Sequence, residues 1–88
     1  ITDPLTGLSN RRGFETRAAA LIAAARRDGQ PCTVLAFDID RFKSINDGWG
    51  HPAGDVVLRE TATALAETLR AGDVLGRLGG EEFAAVLR

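Results

Sequence analysis

The sequence predicts an α+β fold, an α/β sandwich in which helices pack on an antiparallel sheet. Three observations carry that prediction over its 88 residues. Two segments, 11–27 and 53–70, repeat apolar residues at helical spacing. One run, Thr33 to Ile39, is almost continuously apolar and bounded by helix breakers. Near the end, two short apolar runs are joined by Gly79-Gly80, which reads as a β-hairpin. The resulting order is helix, strand, short helix, loop, helix, strand, hairpin, strand. A strand followed by a helix and a returning hairpin opens a ferredoxin-like or split βαβ arrangement.

The entry from Ile1 to Asn10 is rich in turn formers, among them Asp3-Pro4, Thr6-Gly7 and Ser9-Asn10. Asn10 is placed to cap the first helix, whose apolar face is Phe14, Ala18, Leu21, Ile22 and Ala25. Arg26 and Arg27 complement the negative end of the helix dipole, and Gly29 suits the position just beyond it. Thr33 to Ile39 is expected as a buried central strand. Asp40 is expected to cap a short helix through Lys43 to Ile45, and Asn46 to Pro52 to form a loop. Within that loop Trp49 is expected in the core and His51 as a structural hydrogen-bonder. The second long helix, from Ala53 to Arg70, presents Leu58, Ala62, Leu65 and Leu69 and places Asp55 in its first turn, with Gly72 as its stop.

Composition narrows the function classes. The charge is balanced, with 11 basic against 12 acidic residues, whereas non-specific nucleic-acid binding needs a basic surface. Cys32 is the single cysteine, so no disulfide forms within the chain, which fits a reducing cytoplasmic location. The most apolar helical run, Ala18 to Ala25, is too short to span a bilayer.

Chemistry concentrates in two acidic groups. Asp38 sits at the end of the apolar strand, where an ionised carboxylate is costly unless it is paired, hydrogen-bonded or metal-bound. A ligand role is therefore favoured for Asp38, and capping for Asp40. Glu81 and Glu82 follow the two glycines at the hairpin tip, in what is either an ordinary solvated turn or a cation site. If the hairpin folds back beside the strand, Asp38 and the tip acids converge. Acidic oxygens without His or Cys select a hard cation shared with substrate phosphates, the arrangement of phosphoryl or nucleotidyl transfer.

The residues resemble the GGDEF domain of diguanylate cyclases. The resemblance is carried by Asp3-Pro4-Leu5-Thr6-Gly7-Leu8 with Asn10-Arg11-Arg12, and by Phe37-Asp38-Ile39-Asp40 with Phe42-Lys43 and Asn46-Asp47. Gly50-His51 with Gly54-Asp55, and Arg77-Leu78-Gly79-Gly80-Glu81-Glu82-Phe83, complete it, with Glu81 where Asp is commoner. The resemblance implies a palm-type sheet and condensation of two GTP molecules into cyclic di-GMP, with pyrophosphate released. It implies a homodimer with facing active sites, Mg²⁺ or Mn²⁺ as cofactor, and bacterial second-messenger signalling.

By the same resemblance Asp38, the carbonyl of Ile39 and Glu81 are the metal ligands. Glu81 or Glu82 helps deprotonate the attacking 3′-hydroxyl. Lys43 neutralises phosphate charge, Phe42 and the short-helix amides with Gly79 and Gly80 approach the triphosphate, and Asn46 and Asp55 read guanine. Arg70 and Asp73 resemble the inhibitory site for the product. The family's domain is about twice this length, near the usual domain size, so residues 1–88 are expected to form its first part. A sensory domain is expected upstream in the whole protein. Two other readings remain: a non-catalytic module that binds GTP or cyclic di-GMP, and an inactive fragment of the cyclase.

Overall fold

A computed structural model describes residues 1–88. It contains α1 (Arg11–Arg27), β1 (Thr33–Asp38), α2 (Phe42–Trp49), α3 (His51–Thr68), β2 (Val74–Gly79) and β3 (Glu82–Leu87). The strands form one antiparallel sheet in the order β1-β3-β2. The α+β prediction holds.

The first helix forms as its sequence dictates. Asn10 Oδ1 accepts the Gly13 N–H at 3.0 Å, satisfying one of the donors that a helix start leaves free. At the other end Gly29 adopts φ 66°, a left-handed value that a side chain disfavours. Phe14 and Ala18 of α1 bury against Val74 of β2 and Ala84 and Val86 of β3. Gly76 makes the approach possible, because a Cβ there would lie 2.6 Å from Phe14 Cβ. On the opposite sheet face Leu58 and Ala62 of α3 bury Phe83, with Leu5, Leu8, Phe37, Phe42 and Leu65 around them. Alternation along β3 thus sends Phe83 to the α3 layer and Ala84 and Val86 to the α1 layer. Phe83 and Val86 are the largest fully buried side chains, each worth about 1.5–3 kcal/mol in burial.

Within residues 1–88 the strand paired on both sides is β3, whereas the expected central strand, β1, lies at the edge. Residues 33–38 pair with β3 alone, and Val34 is 61% exposed, so the apolar run marks an edge strand here. Apolar continuity reports a strand that two layers can cover, and within residues 1–88 only one flank of β1 is paired.

Four local expectations are corrected. The short helix extends through Trp49, since Asn46 to Trp49 stay helical, and Gly50 at φ 88° makes the break instead. The residue capping α2 is Arg41, at φ 57° and without a side-chain cap bond, rather than Asp40. The long helix starts at His51, with Pro52 in its first turn, and ends at Thr68, so Asp55 lies past the first turn. Trp49 is 81% exposed rather than in the core, because the helix that carries it turns that face outward.

Residues 1–10 close the outer edge of β2. Thr2 bridges Ser9, Ser9 bridges Gly76, and the Arg77 N–H donates to Ser9 O at 2.9 Å. Backbone donors on that edge are thereby paired instead of left open.

Candidate functional site

The hairpin tip and the exit of β1 are tied together by backbone geometry. Gly79 pairs with Glu82, leaving Gly80-Glu81 as the two-residue turn, and Gly80 takes φ 49°. Asp38 lies directly opposite Glu82 across the β1–β3 pair. One residue further, the Ile39 N–H donates to Glu81 O at 3.3 Å. The turn that carries Glu81 is thus held beside the end of the strand that carries Asp38.

An open cleft of about 500 Å³ results, lined by Asp38, Ile39, Asp40, Arg41, Phe42, Lys43 and Glu81. Its chemistry is divided. Carboxylates of Asp38, Asp40 and Glu81 border one part, and no ion pair in the structure engages them or Glu82. Like charges directly opposite on paired strands, as at Asp38 and Glu82, repel each other, and a bound cation offsets that repulsion. The oxygen-only donor set of Asp38, Glu81 and the Ile39 carbonyl suits Mg²⁺, which binds through one or two carboxylates plus substrate phosphates. No three acidic, His or Cys side chains gather into a complete cage on their own. The rest of the cleft is the start of α2, whose first-turn amides have no capping side chain and favour an anion. Lys43 is 92% exposed there and pairs loosely with Asp47 at 3.7 Å.

Asn46 and Asp55 lie outside the lining of this cleft. Asn46 is wedged between α2 and α3, its Oδ1 buried and without a hydrogen-bond partner. Gly54 makes room for it, since a Cβ at that position would sit 2.0 Å from Asn46 Oδ1. Asp55, the next residue along α3, is exposed. A buried polar atom left unpaired is unfavourable, and nothing in the packing around Asn46 Oδ1 offsets that cost.

Arg70 and Asp73 are placed elsewhere. They share a tight turn after α3, in which the Arg70 N–H donates to Asp73 Oδ2 at 2.8 Å and the Asp73 N–H to Arg70 O at 3.0 Å. α3 ends at Thr68 with Leu69 as its cap, so Arg70 lies one residue past the cap and outside the last turn. Both residues line a second cavity of about 520 Å³ toward the far end of β2, away from the tip. The two cavities are similar in size, but only the first is lined by more than one carboxylate.

Three contributors had no individual role in the sequence reading. Arg41 lines the cleft from a left-handed backbone conformation that costs a non-glycine residue about 1–2 kcal/mol. Strain of that kind is tolerated at functional sites, though nothing in the residue type announces it. Asp3 and Arg77 form an ion pair at 3.1 Å, and Arg77 Nε also donates to Gly80 O at 2.9 Å, inside the tip turn. Their distance along the chain hides that contact from local patterns.

Fold and cleft together define an α+β domain with carboxylates and a helix start gathered at one open cleft. The chain belongs to the GGDEF domain family of diguanylate cyclases, whose family model matches residues 1–88. It is 48% identical to the response regulator PleD of Caulobacter vibrioides over 87 residues, covering 99% of this chain and 19% of PleD. A Pseudomonas aeruginosa structure, a shortened PA1120 (TpbB or YfiN) comprising only the GGDEF domain, superposes at a TM-score of 0.94 with 45% identity. That match covers 99% of this chain and 51% of the structure, so residues 1–88 correspond to about half of a GGDEF domain. The GGDEF domain of DgcB from Caulobacter crescentus, in complex with cyclic di-GMP, matches at 0.92 with 38% identity, over 98% of this chain and 49% of that one. No helix is long and apolar enough to cross a membrane.

Proposed function

We propose that the whole protein is a diguanylate cyclase, and that this chain supplies the metal- and phosphate-binding half of its active site. The observation that carries the proposal is Asp38 and Glu81 lining one cleft with Lys43 and the start of α2. Asp38, Glu81 and the Ile39 carbonyl would hold Mg²⁺ or Mn²⁺, which when bound neutralises phosphate charge. Amides of the first α2 turn and the Lys43 ammonium receive the triphosphate. Asn46 donates from its side-chain amide to acceptor atoms of the guanine, and Asp55 accepts from the ring N–H and exocyclic amine.

Glu81 or Glu82 takes the proton from a 3′-hydroxyl, whose oxygen then attacks the α-phosphorus of a second GTP and expels pyrophosphate. Two such bonds close cyclic di-GMP, which requires two GTP sites facing each other in a homodimer. Arg70 and Asp73 bind the product as an inhibitor, and a sensory domain elsewhere in the protein sets how often the two sites meet.

The test is to incubate the whole protein with GTP and Mg²⁺ and separate the nucleotides chromatographically. Cyclic di-GMP with stoichiometric pyrophosphate is expected from wild type, and a severe loss from Glu81→Gln. Wild-type turnover by Glu81→Gln would overturn the site.

A further inference from the structure

Residues 1–88 hold a second cavity that combines free positive charge with an apolar wall. It lies at the edge of β2, between the first half of α1, the residue 1–10 turn and the Arg70–Asp73 turn. Leu8, Leu69 and Leu75 give it apolar surface, and Arg17, Arg70 and Asp73 give it charge. Neither arginine forms an ion pair in this structure. Arg17 is held only by a neutral group, its Nη1 donating to Ser9 Oγ at 3.1 Å. Asp73 spends one carboxylate oxygen on the Arg70 N–H. The cavity is therefore net positive, and its two guanidinium groups come from separate segments of the chain.

We infer that Arg17 is a second phosphate-binding residue of the product site, acting with Arg70 on a cyclic dinucleotide seated in this cavity. The inference rests on the reading that Arg70 and Asp73 take the product, and adds to it a lining residue from α1. A volume of about 520 Å³ is within the usual range for a small-molecule site. A guanidinium bonds two phosphate oxygens at once, and a purine base needs an apolar surface such as Leu69 and Leu75 provide. An anion bridging Arg17 and Arg70 replaces the weak Ser9 contact with a charge-assisted one. It also ties α1 to the turn before β2.

Isothermal titration of the whole protein with cyclic di-GMP tests this, using wild type, Arg17→Ala, Arg17→Lys, Arg70→Ala and the Arg17/Arg70 double variant. Arg17→Ala is expected to weaken binding by about tenfold, the scale of one charge-assisted contact. Arg17→Lys should recover only part of it, because an ammonium lacks the planar fork. Initial rates of cyclic di-GMP synthesis should stay at the wild-type value in both, since Arg17 is remote from the acid-lined cleft. Full affinity in Arg17→Ala, with affinity lost in Arg70→Ala, overturns the role of Arg17 and leaves the product site standing. Full affinity in both single variants and in the double overturns the product site itself. Should Arg17→Ala fold poorly, Arg17→Lys decides alone, and wild-type affinity there overturns the inference.

Discussion

The Arg77 guanidinium lies 3.1 Å from the Asp3 carboxylate, joining the start of the chain to the strand that leads into the signature turn. Each side chain is only 16% exposed, so this pair is screened far less than a surface pair. Asp3 Oδ2 also accepts from the Thr6 N–H at 2.9 Å and the Thr6 hydroxyl at 2.7 Å. Arg77 Nε in turn holds Gly80 O, next to Glu81. The turn at residues 3–6 therefore braces the hairpin tip through one guanidinium.

Burial alone would raise the Asp3 carboxyl, but the Thr6 bonds and Arg77 outweigh it and lower its pKa below the ordinary value. A depressed carboxyl pKa stabilises the fold above the unfolded value, about 3.9, and that contribution is lost as pH falls through the lower folded value. Asp3→Asn should destabilise the domain by about 1–3 kcal/mol at neutral pH, the scale of a hydrogen bond to a charged group. Urea unfolding across a pH series checks this. The gap between variant and wild type should close on acidification below pH 4 or so, and a gap that widens there would refute the assignment.

Gly54→Ala probes the Asn46 amide. The added Cβ would meet Asn46 Oδ1 at 2.0 Å and Phe42 Cζ at 3.2 Å, so the Asn46 side chain must move. Stability should fall by about 1–3 kcal/mol, as in other overpacked sites. GTP affinity, measured by equilibrium binding in the whole protein, should fall by about tenfold if Asn46 reads guanine. Unchanged affinity in a destabilised variant would return Asn46 to a packing role.

How much was legible in the sequence follows from which forces are local. Capping by Asn10 and the bounds of α1 depend on neighbours within one or two turns, and both stand. Glu81 and Asp38 border one cleft because the hairpin returns beside β1, as the element order suggested. Properties set by other layers were not legible. Val34 and Trp49 have the same apolar side chains whether covered or not, so their exposure depends on what packs against them. Arg41 is left-handed because the chain must turn from β1 into α2, a demand that its residue type does not reveal. The Asp3–Arg77 pair spans 74 positions and follows no periodicity.

Asp38→Asn keeps the shape of the side chain and removes its charge from the acid-lined cleft. In the whole protein, turnover of GTP at ordinary Mg²⁺ should drop by about a hundredfold or more, since electrostatic stabilisation carries most of such a reaction. Raising Mn²⁺ should restore part of the rate if the defect is in metal binding. The activity is read as cyclic di-GMP formed per minute over a metal titration. An undiminished rate at low Mg²⁺ would remove Asp38 from the ligand set.

The last prediction concerns residues 1–88 as a separate polypeptide. They span 51% of a structure that comprises only a GGDEF domain, so about half of that structure's length lies outside them. Within them β1 pairs on one side only, and Val34 is 61% exposed on that edge strand. An uncovered edge with exposed apolar residues favours association with other chains, and a small core gives little margin against unfolding. Lys43 and the α2 amides also supply few charges against a triphosphate, and losing phosphate contacts from a site that works by positioning costs several powers of ten in rate. The 88-residue polypeptide should therefore form no detectable cyclic di-GMP from GTP and Mg²⁺ under conditions where the whole protein does. Size-exclusion chromatography run alongside should show it self-associated or expanded. Comparable product from a monodisperse 88-residue chain would mean that the acid-lined cleft and the start of α2 suffice for turnover.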